Sequence, residues 1–212
     1  MHKHILSNIG PFHITIPQHI AFLQPGSSNW SHILPRLPAD SSRHCLIRPY
    51  LGRRRVDSNA LSGRRSMLKS ISLRDYPLHI DQMEALDLPV HIYASAMADG
   101  LAFLLWVAEV DACDVEFVLA RPRPLSGEDN VTYTSPDTFT FGPLEVHTLW
   151  ILDFDCCKKL PMTSEGVKIA AERFWRNDPF YPNPNAKCEE DAALWDVFEH
   201  RFLKTSAEMM AS

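Results

Sequence analysis

Acidic side chains at two points in the chain are the residues best suited to chemistry. Asp153 and Asp155 end the apolar run that begins at Trp150, and their spacing of two places both carboxylates on one side of a strand. Burying an unpaired carboxylate is costly, so we expect these acids at the mouth of the strand, or beside a cation or an arginine. The segment from Glu109 to Leu119 carries Asp111 and is the stretch most suited to face them.

We take Asp111 and Asp153 as candidate catalytic residues. Candidates for binding a substrate beside them are Trp106, Glu116, Trp150, Asp155 and Arg53. The two tryptophans flank the acidic segments and could wall an apolar pocket, although core packing is the commoner use of tryptophan. The run from Arg53 to Arg55 could bind an anion. We favour a structural pairing instead, in which Arg48 or Arg53 meets Asp153 or Asp155.

Composition indicates one globular domain over residues 1–212, with a weakly structured segment at 1–44 and a core at 45–212. The chain is 45% hydrophobic and 22% charged. Its net charge of −5 argues against a nucleic-acid partner, because such proteins are usually basic. No apolar run reads as a bilayer span, so we expect a cytoplasmic protein without a membrane span, and its oligomeric state stays open.

The five cysteines are odd in number and irregularly spaced, which is typical of reduced intracellular thiols. Structural zinc requires four ligands in close pairs such as C-x2-C, and the adjacent Cys156 and Cys157 do not have that spacing. We therefore predict neither a metal nor a cofactor.

The pattern along the chain predicts an α+β fold, rich in helix, with a small sheet. We predict strands at 45–52, 115–119 and from Trp150 onward. Residues 73–86 read as helical, and a second helix with Asp87 as its N-cap carries an apolar stripe through Leu104, with Asp99 off the stripe. Residues 121–144 read as a long loop with a hairpin around Thr132 and Phe139. Helices are predicted at 164–176 and near 189–206.

The order of a central helix, an acidic turn, a strand, a loop and a strand ending in Asp-Phe-Asp resembles the C-terminal lobe of kinase-like phosphotransferases. Asp111 matches the catalytic Asp of that lobe and Asp153 the metal-binding Asp. Two positions depart from the pattern, since Glu109 replaces a histidine and Glu116 replaces an asparagine. The chain also lacks a glycine-rich phosphate loop and a strand lysine. The resemblance implies a shortened kinase-like C-lobe.

A second resemblance rests on longer motifs, which begin at Cys45 and are distributed over most of the chain. These are Cys45–Arg55, Ser72–Met83, Asp111–Leu119, Leu152–Cys157 and Phe174–Pro182. They are similar to a fungal domain family of unknown function whose members are often labelled zinc-finger-like. This resemblance implies a cytosolic fungal protein of the kind that occurs among natural-product biosynthesis proteins.

Three functional classes follow from the residues and the two resemblances. The first is a cofactor-independent enzyme for an apolar small molecule, an isomerase or cyclase that includes pericyclic chemistry, because such reactions depend on positioning and electrostatics. The second is a pseudokinase-like protein-binding module. The third is a residual ATP-dependent phosphotransferase. An enzyme of the first class should have a closed pocket near Trp106 and Trp150, whereas a binding module should have an exposed apolar patch.

Overall fold

The sheet is assembled from strands that lie far apart in the sequence. The structure, a computed structural model, describes residues 47–55, 76–120, 139–140 and 146–211. Its strands are β1 (Ile47–Tyr50), β2 (Tyr76–His79), β3 (Glu116–Ala120), β4 (Phe139–Thr140) and β5 (Val146–Leu152). Their order in the sheet is β2-β1-β3-β5-β4, with β1 and β2 parallel and the other pairs antiparallel.

Four helices accompany this sheet: α1 (Ile80–Ala85), α2 (Val90–Ala102), α3 (Ser164–Arg176) and α4 (Glu189–Ala211). Helix α2 continues as a π-helical turn over Phe103–Val107. The main apolar core lies where α2 and α4 pack together and α2 faces the sheet. The predicted α+β class, rich in helix with a small sheet, is confirmed.

Two local predictions are wrong. Residues Tyr76–His79 form strand β2 and not the start of a helix, because they pair in parallel with β1. Pro77 is tolerated there since β2 is an edge strand, where a missing N–H is not needed by a neighbour. Asp87 is not the N-cap of α2. It has a φ of 54°, and Pro89 occupies the N-cap position.

Helix α3 agrees closely with its prediction. It spans Ser164–Arg176, and the Thr163 side chain accepts a hydrogen bond from the Gly166 N–H, as an N-cap should. Gly166 is also required by packing, because a Cβ at this position would lie 1.7 Å from the carbonyl oxygen of Pro161. The cap and the glycine together fix where α3 begins and how closely it approaches the preceding segment.

Helix α4 begins at the predicted residue and extends five residues beyond the predicted end. Phe198 packs between the rings of Trp195 and Phe202 on one face, as predicted. The predicted segment 1–44 and most of the predicted loop 121–144 lie outside the described residues. Within that loop, Phe139–Thr140 pairs with β5. Thr132, the other residue of the expected hairpin, lies outside the described residues, so the hairpin stays a prediction.

One helical segment of the described residues, Val90–Val107, has the length and hydropathy of a membrane span. The inside of the protein buries 67% of that segment. Such burial is typical of the core helix of a globular domain, and length and composition alone are weak grounds for a span. The expectation of no membrane span stays a prediction.

Candidate functional site

The candidate site lies where β5 ends and meets the turn that precedes β3. We call it the β5 corner and define it as residues 109–115 and 153–160. A short antiparallel bridge joins Val110 to Lys159. On either side of it, the Asp111 N–H donates to the Lys158 carbonyl over 3.0 Å and the Leu160 N–H to the Glu109 carbonyl over 2.7 Å. These bonds bring the two acidic segments of the sequence together.

Asp111 is buried in this corner and is bonded mainly by backbone groups. Its Oδ1 accepts from the N–H of Lys158 at 2.9 Å and of Cys113 at 3.3 Å. Its Oδ2 lies 3.4 Å from Nε of Arg173 on α3. That Nε is buried and makes no hydrogen bond of good geometry within the described structure, so the ion pair is loose. Asp111 therefore fixes the shape of the turn, and its predicted catalytic role stays a prediction.

The far side of the turn is held by Asn177, the residue that follows α3. Its Nδ2 donates to the Ala112 carbonyl at 2.9 Å, and its Oδ1 accepts from the Asp114 N–H at 2.8 Å. Sequence reasoning missed Asn177 and Arg173. Neither has a local signal, because both act on a turn more than sixty residues earlier in the chain.

The backbone of the β5 corner is strained. The described residues contain five non-glycine residues with positive φ, and four of them lie here: Glu109 (49°), Ala112 (49°), Asp114 (60°) and Asp153 (61°). The left-handed region costs an L-residue roughly 1–2 kcal/mol, least for Asp and Asn. Such conformations persist only where surrounding contacts impose them, and they concentrate at functional sites.

Asp114, Asp153 and Asp155 are the exposed acids of the corner. Asp153 directly follows β5, and Phe154 beside it is buried in the core. Asp153 and Asp111 both influence the buried thiol of Cys157. Burial raises the pKa of this thiol to about 12, and the negative charges of Asp111 and Asp153 act in the same direction. Both candidate catalytic carboxylates are therefore close enough to act on one buried thiol, Asp111 from a buried position and Asp153 from an exposed one.

The other predicted site residues are not gathered at this corner. Glu116, on β3, forms an ion pair with Arg48 on the neighbouring strand β1. Asp178 completes that cluster, because it lies 3.6 Å from Arg48 and accepts a 2.5 Å hydrogen bond from the Tyr50 hydroxyl. Arg48 was expected to neutralise an internal acid. Its partners are Glu116 and Asp178 rather than Asp153 or Asp155.

The arginine run after β1 also makes structural contacts. Arg54 pairs with Glu84 at 2.7 Å and with Asp191 at 2.6 Å, and Arg55 pairs with Asp81 at 2.7 Å. The side chain of Arg53 is exposed, and its carbonyl accepts from the Ile80 N–H. The run thus ties β1 to α1 and α4.

Trp106 and Trp150 are not two walls of one pocket. Trp106 packs on the main core, and its indole N–H donates to the Ser206 hydroxyl at 2.8 Å. Trp150 is buried, but it alternates along β5 with Leu149 and Ile151, which belong to that core. Successive side chains of a strand point to opposite faces, so Trp150 lies on the other face of the sheet.

Comparison with known proteins gives one partial match. Residues 149–212 match the model of the DUF3669 family, which is described as a zinc finger protein. The match covers the end of β5, α3 and α4 and less than a third of the chain, so it supports an uncharacterised domain with a zinc-finger label over that part alone. No curated protein and no solved structure matches the chain.

The donors in the described residues do not fit the zinc that this label implies. Among those residues, no three side chains of His, Cys, Asp or Glu converge to hold an ion. The thiols nearest to one another are Cys113, Cys156 and Cys157, and the pKa of Cys157 is raised to about 12. A zinc ligand must be a thiolate, whose pKa a suitable site lowers. This environment favours the neutral thiol.

Proposed function

We propose that the protein is a cofactor-independent enzyme of the isomerase or cyclase type, which acts on an apolar small molecule at the β5 corner. The observation that carries the proposal is the concentration of strained backbone around an exposed carboxylate. Of the positive-φ residues, Glu109, Ala112 and Asp114 lie within three residues of Asp111, and Asp153 is itself the fourth of the corner. Strain of this kind is retained where a fixed geometry is needed, as in the orientation of a reacting molecule.

The roles of the two aspartates differ in this proposal. Asp153 is exposed and contacts the polar or reacting group of the substrate, as an acid–base or electrostatic group. Asp111 is buried on backbone N–H groups and acts as a positioning residue, because it fixes the turn against which Asp153 is held. Rearrangement of a single substrate conserves its atoms, which is consistent with an enzyme that uses no second reactant.

Natural-product chemistry enters the proposal through the fungal-family resemblance, and the matched segment 149–212 contains Asp153. The kinase-like resemblance concerns the same two aspartates. A phosphotransferase would need the first of them accessible as a base and the residue at 116 as a metal ligand. Asp111 is instead buried, and Glu116 pairs with Arg48. These contacts favour an altered chemistry on a related framework over phosphoryl transfer.

A protein-binding module is the second candidate, and an exposed apolar surface favours it. Val167 and Trp175 on α3 are 63% and 59% exposed. Patches of this type mark interaction sites more often than catalytic ones. The two candidates use different surfaces and can be tested separately.

The test is a thermal-shift titration of the full chain with a panel of polyenes and terpenoids, beside ATP with magnesium. A ligand that binds only the folded state raises the melting temperature. We expect a rise with members of the apolar panel and none with ATP. Compounds that bind are then incubated with the protein, and conversion to a product of unchanged mass is followed by chromatography.

Two exposed aspartates give a matched pair of variants. Asp153→Asn removes the charge and keeps a residue that tolerates positive φ, so the fold should be retained. We expect it to lower turnover by about 10²–10⁴-fold, the usual range for a lost acid–base group. Asp196→Asn, at an exposed position of α4 outside the corner, should lower it by less than about threefold. A rise with ATP and magnesium alone, or equal effects of the two variants, would overturn the proposal.

A further inference from the structure

Helix α3 presents an apolar stripe to solvent. Only Gly166 of this helix is fully buried, and Phe174 packs its ring on Tyr181 with a centroid separation of 4.9 Å. Beside this inner side, Val167, Ala171 and Trp175 follow one another at four-residue spacing, and all three are exposed. We call these three residues the α3 stripe. A tryptophan that is 59% exposed is the most energetically valuable contact that such a stripe can offer a partner.

The charges beside the stripe indicate which partner fits it. Along one flank the exposed residues are Glu165, Lys168, Glu172 and Arg176. Two copies of α3 that pack antiparallel about Ala171 place Val167 against the partner's Trp175. In the same arrangement Lys168 lies beside the partner's Glu172, with an axial offset of about 3 Å. Long side chains span this offset.

Symmetry doubles this contact, so two ion pairs border the two tryptophans. Parallel packing through the same stripe would instead place this charged flank against the partner's opposite flank, which carries Ala170 and Phe174. The intrahelical pair between Lys168 and Glu165, at 3.4 Å, is compatible with the antiparallel arrangement because both groups are more than two-thirds exposed. The charge pattern therefore complements itself in one orientation only.

We propose that the α3 stripe is a homodimer interface, occupied by the α3 of a second copy of this chain in antiparallel orientation. This inference is independent of the proposed enzyme activity, because the stripe includes no residue of the β5 corner. One short helix pair is smaller than the roughly 1,200–2,000 Å² of a standard stable interface. The dimer should accordingly be weak, with a dissociation constant on the order of 10 µM.

Sedimentation velocity of the full chain from about 1 to 200 µM is the first measurement. We expect the wild type to change from monomer to dimer across this range, and Trp175→Ala to weaken dimerisation at least tenfold. Leu203→Ala is the matched control, since Leu203 on α4 is equally exposed at 59%. It should leave the monomer–dimer equilibrium unchanged.

Charge exchange tests the orientation. Lys168→Glu and Glu172→Lys each place like charges across the two-fold axis, so each variant alone should dimerise more weakly than the wild type. Mixed in equal amounts they should recover the dimer, because the heterodimer restores opposite charges at both contacts. A wild type that stays monomeric at 200 µM, or a mixture no more dimeric than its components, would overturn the proposal. Circular dichroism of each variant checks that the monomer is folded.

Discussion

Two buried aspartates, Asp99 and Asp111, are embedded in different ways. Asp99 lies in the regular helix α2, and every bond to its carboxylate comes from α4. Arg201 donates to both oxygens at 2.7 Å, and the Thr205 hydroxyl donates at 2.6 Å. Asp111 lies in an irregular turn, accepts two backbone N–H groups and has only a loose contact with Arg173.

The comparison separates an interaction that holds elements together from one that shapes a site. The bonds of Asp99 join two helices in standard geometry, and the carboxylate raises the pKa of Arg201 by accepting its hydrogen bonds. The bonds of Asp111 hold a turn that contains three residues of positive φ. We infer that the first aspartate serves global stability and the second serves local geometry.

The largest expected effect is that of Asp99→Ala. It leaves Arg201 and the Thr205 hydroxyl without their partner at the α2–α4 interface, and breaking a buried ion pair costs about 3–5 kcal/mol. Arg201 is partly exposed, so we expect about 3 kcal/mol, measured by urea unfolding. Asp196→Ala, at an exposed position of α4, should change stability by less than about 0.5 kcal/mol.

Asp111→Ala is expected to destabilise by about 2 kcal/mol, which is less than Asp99→Ala. It leaves the N–H groups of Cys113 and Lys158 unbonded, but Arg173 can turn toward water. Asp111→Asn retains an acceptor oxygen and should recover about half of that loss. The two variants should have the opposite order of effect on enzyme activity. At a temperature where all variants are folded, Asp111→Ala loses turnover and Asp99→Ala does not. Equal turnover in both would remove the distinction between the two aspartates.

The sequence contains much of the local structure. Helix α3 is predictable because its start is signalled by Thr163 and by Glu165 in the first turn. Strand β3 and the end of β5 from Trp150 are predictable because their apolar runs are continuous. The prediction omits the first four residues of β5, where His147 and Thr148 interrupt the apolar run. The acids of the β5 corner also stand out, since two short acidic segments adjoin those strands.

What the sequence does not reveal depends on distant partners. The apolar periodicity of α2 placed Asp99 outside the buried stripe. Asp99 is nevertheless buried because α4 covers that side of α2 and supplies Arg201, 102 residues away in the chain. Residues Tyr76–His79 become a strand only because β1 pairs with them. Similarly, no local sequence pattern predicts the hydrogen bonds that Asn177 makes with the backbone of Ala112 and Asp114.

The buried Cys157 thiol should make the stability of the β5 corner depend on pH. Cys157 has its pKa raised from 9.0 to about 12, chiefly by burial, so the folded state favours the protonated thiol. Its contribution to stability is complete below pH 9 and is lost as the pH rises toward 12, because the unfolded state ionises first. Relative to pH 8, wild type at pH 10.5 should lose about 2 kcal/mol more than Cys157→Ala, measured by urea unfolding at both pH values. Parallel pH profiles of the two proteins would contradict this assignment.

The smallest effect concerns the strain itself. Glu109 has a φ of 49°, and its side chain makes only a loose 3.9 Å contact with Lys159 at the surface. Glu109→Gly relieves about 1 kcal/mol of backbone strain, while the added freedom of the unfolded chain offsets part of it, so we expect a gain of about 0.5 kcal/mol. Glu199→Gly, at an exposed position within α4, should instead lose about 1 kcal/mol.

Thermal unfolding of both variants provides the measurement, and opposite signs for the same substitution would establish that the corner stores strain which a regular helix does not. A loss of stability in Glu109→Gly would show instead that the native contacts of the turn favour its shape without cost.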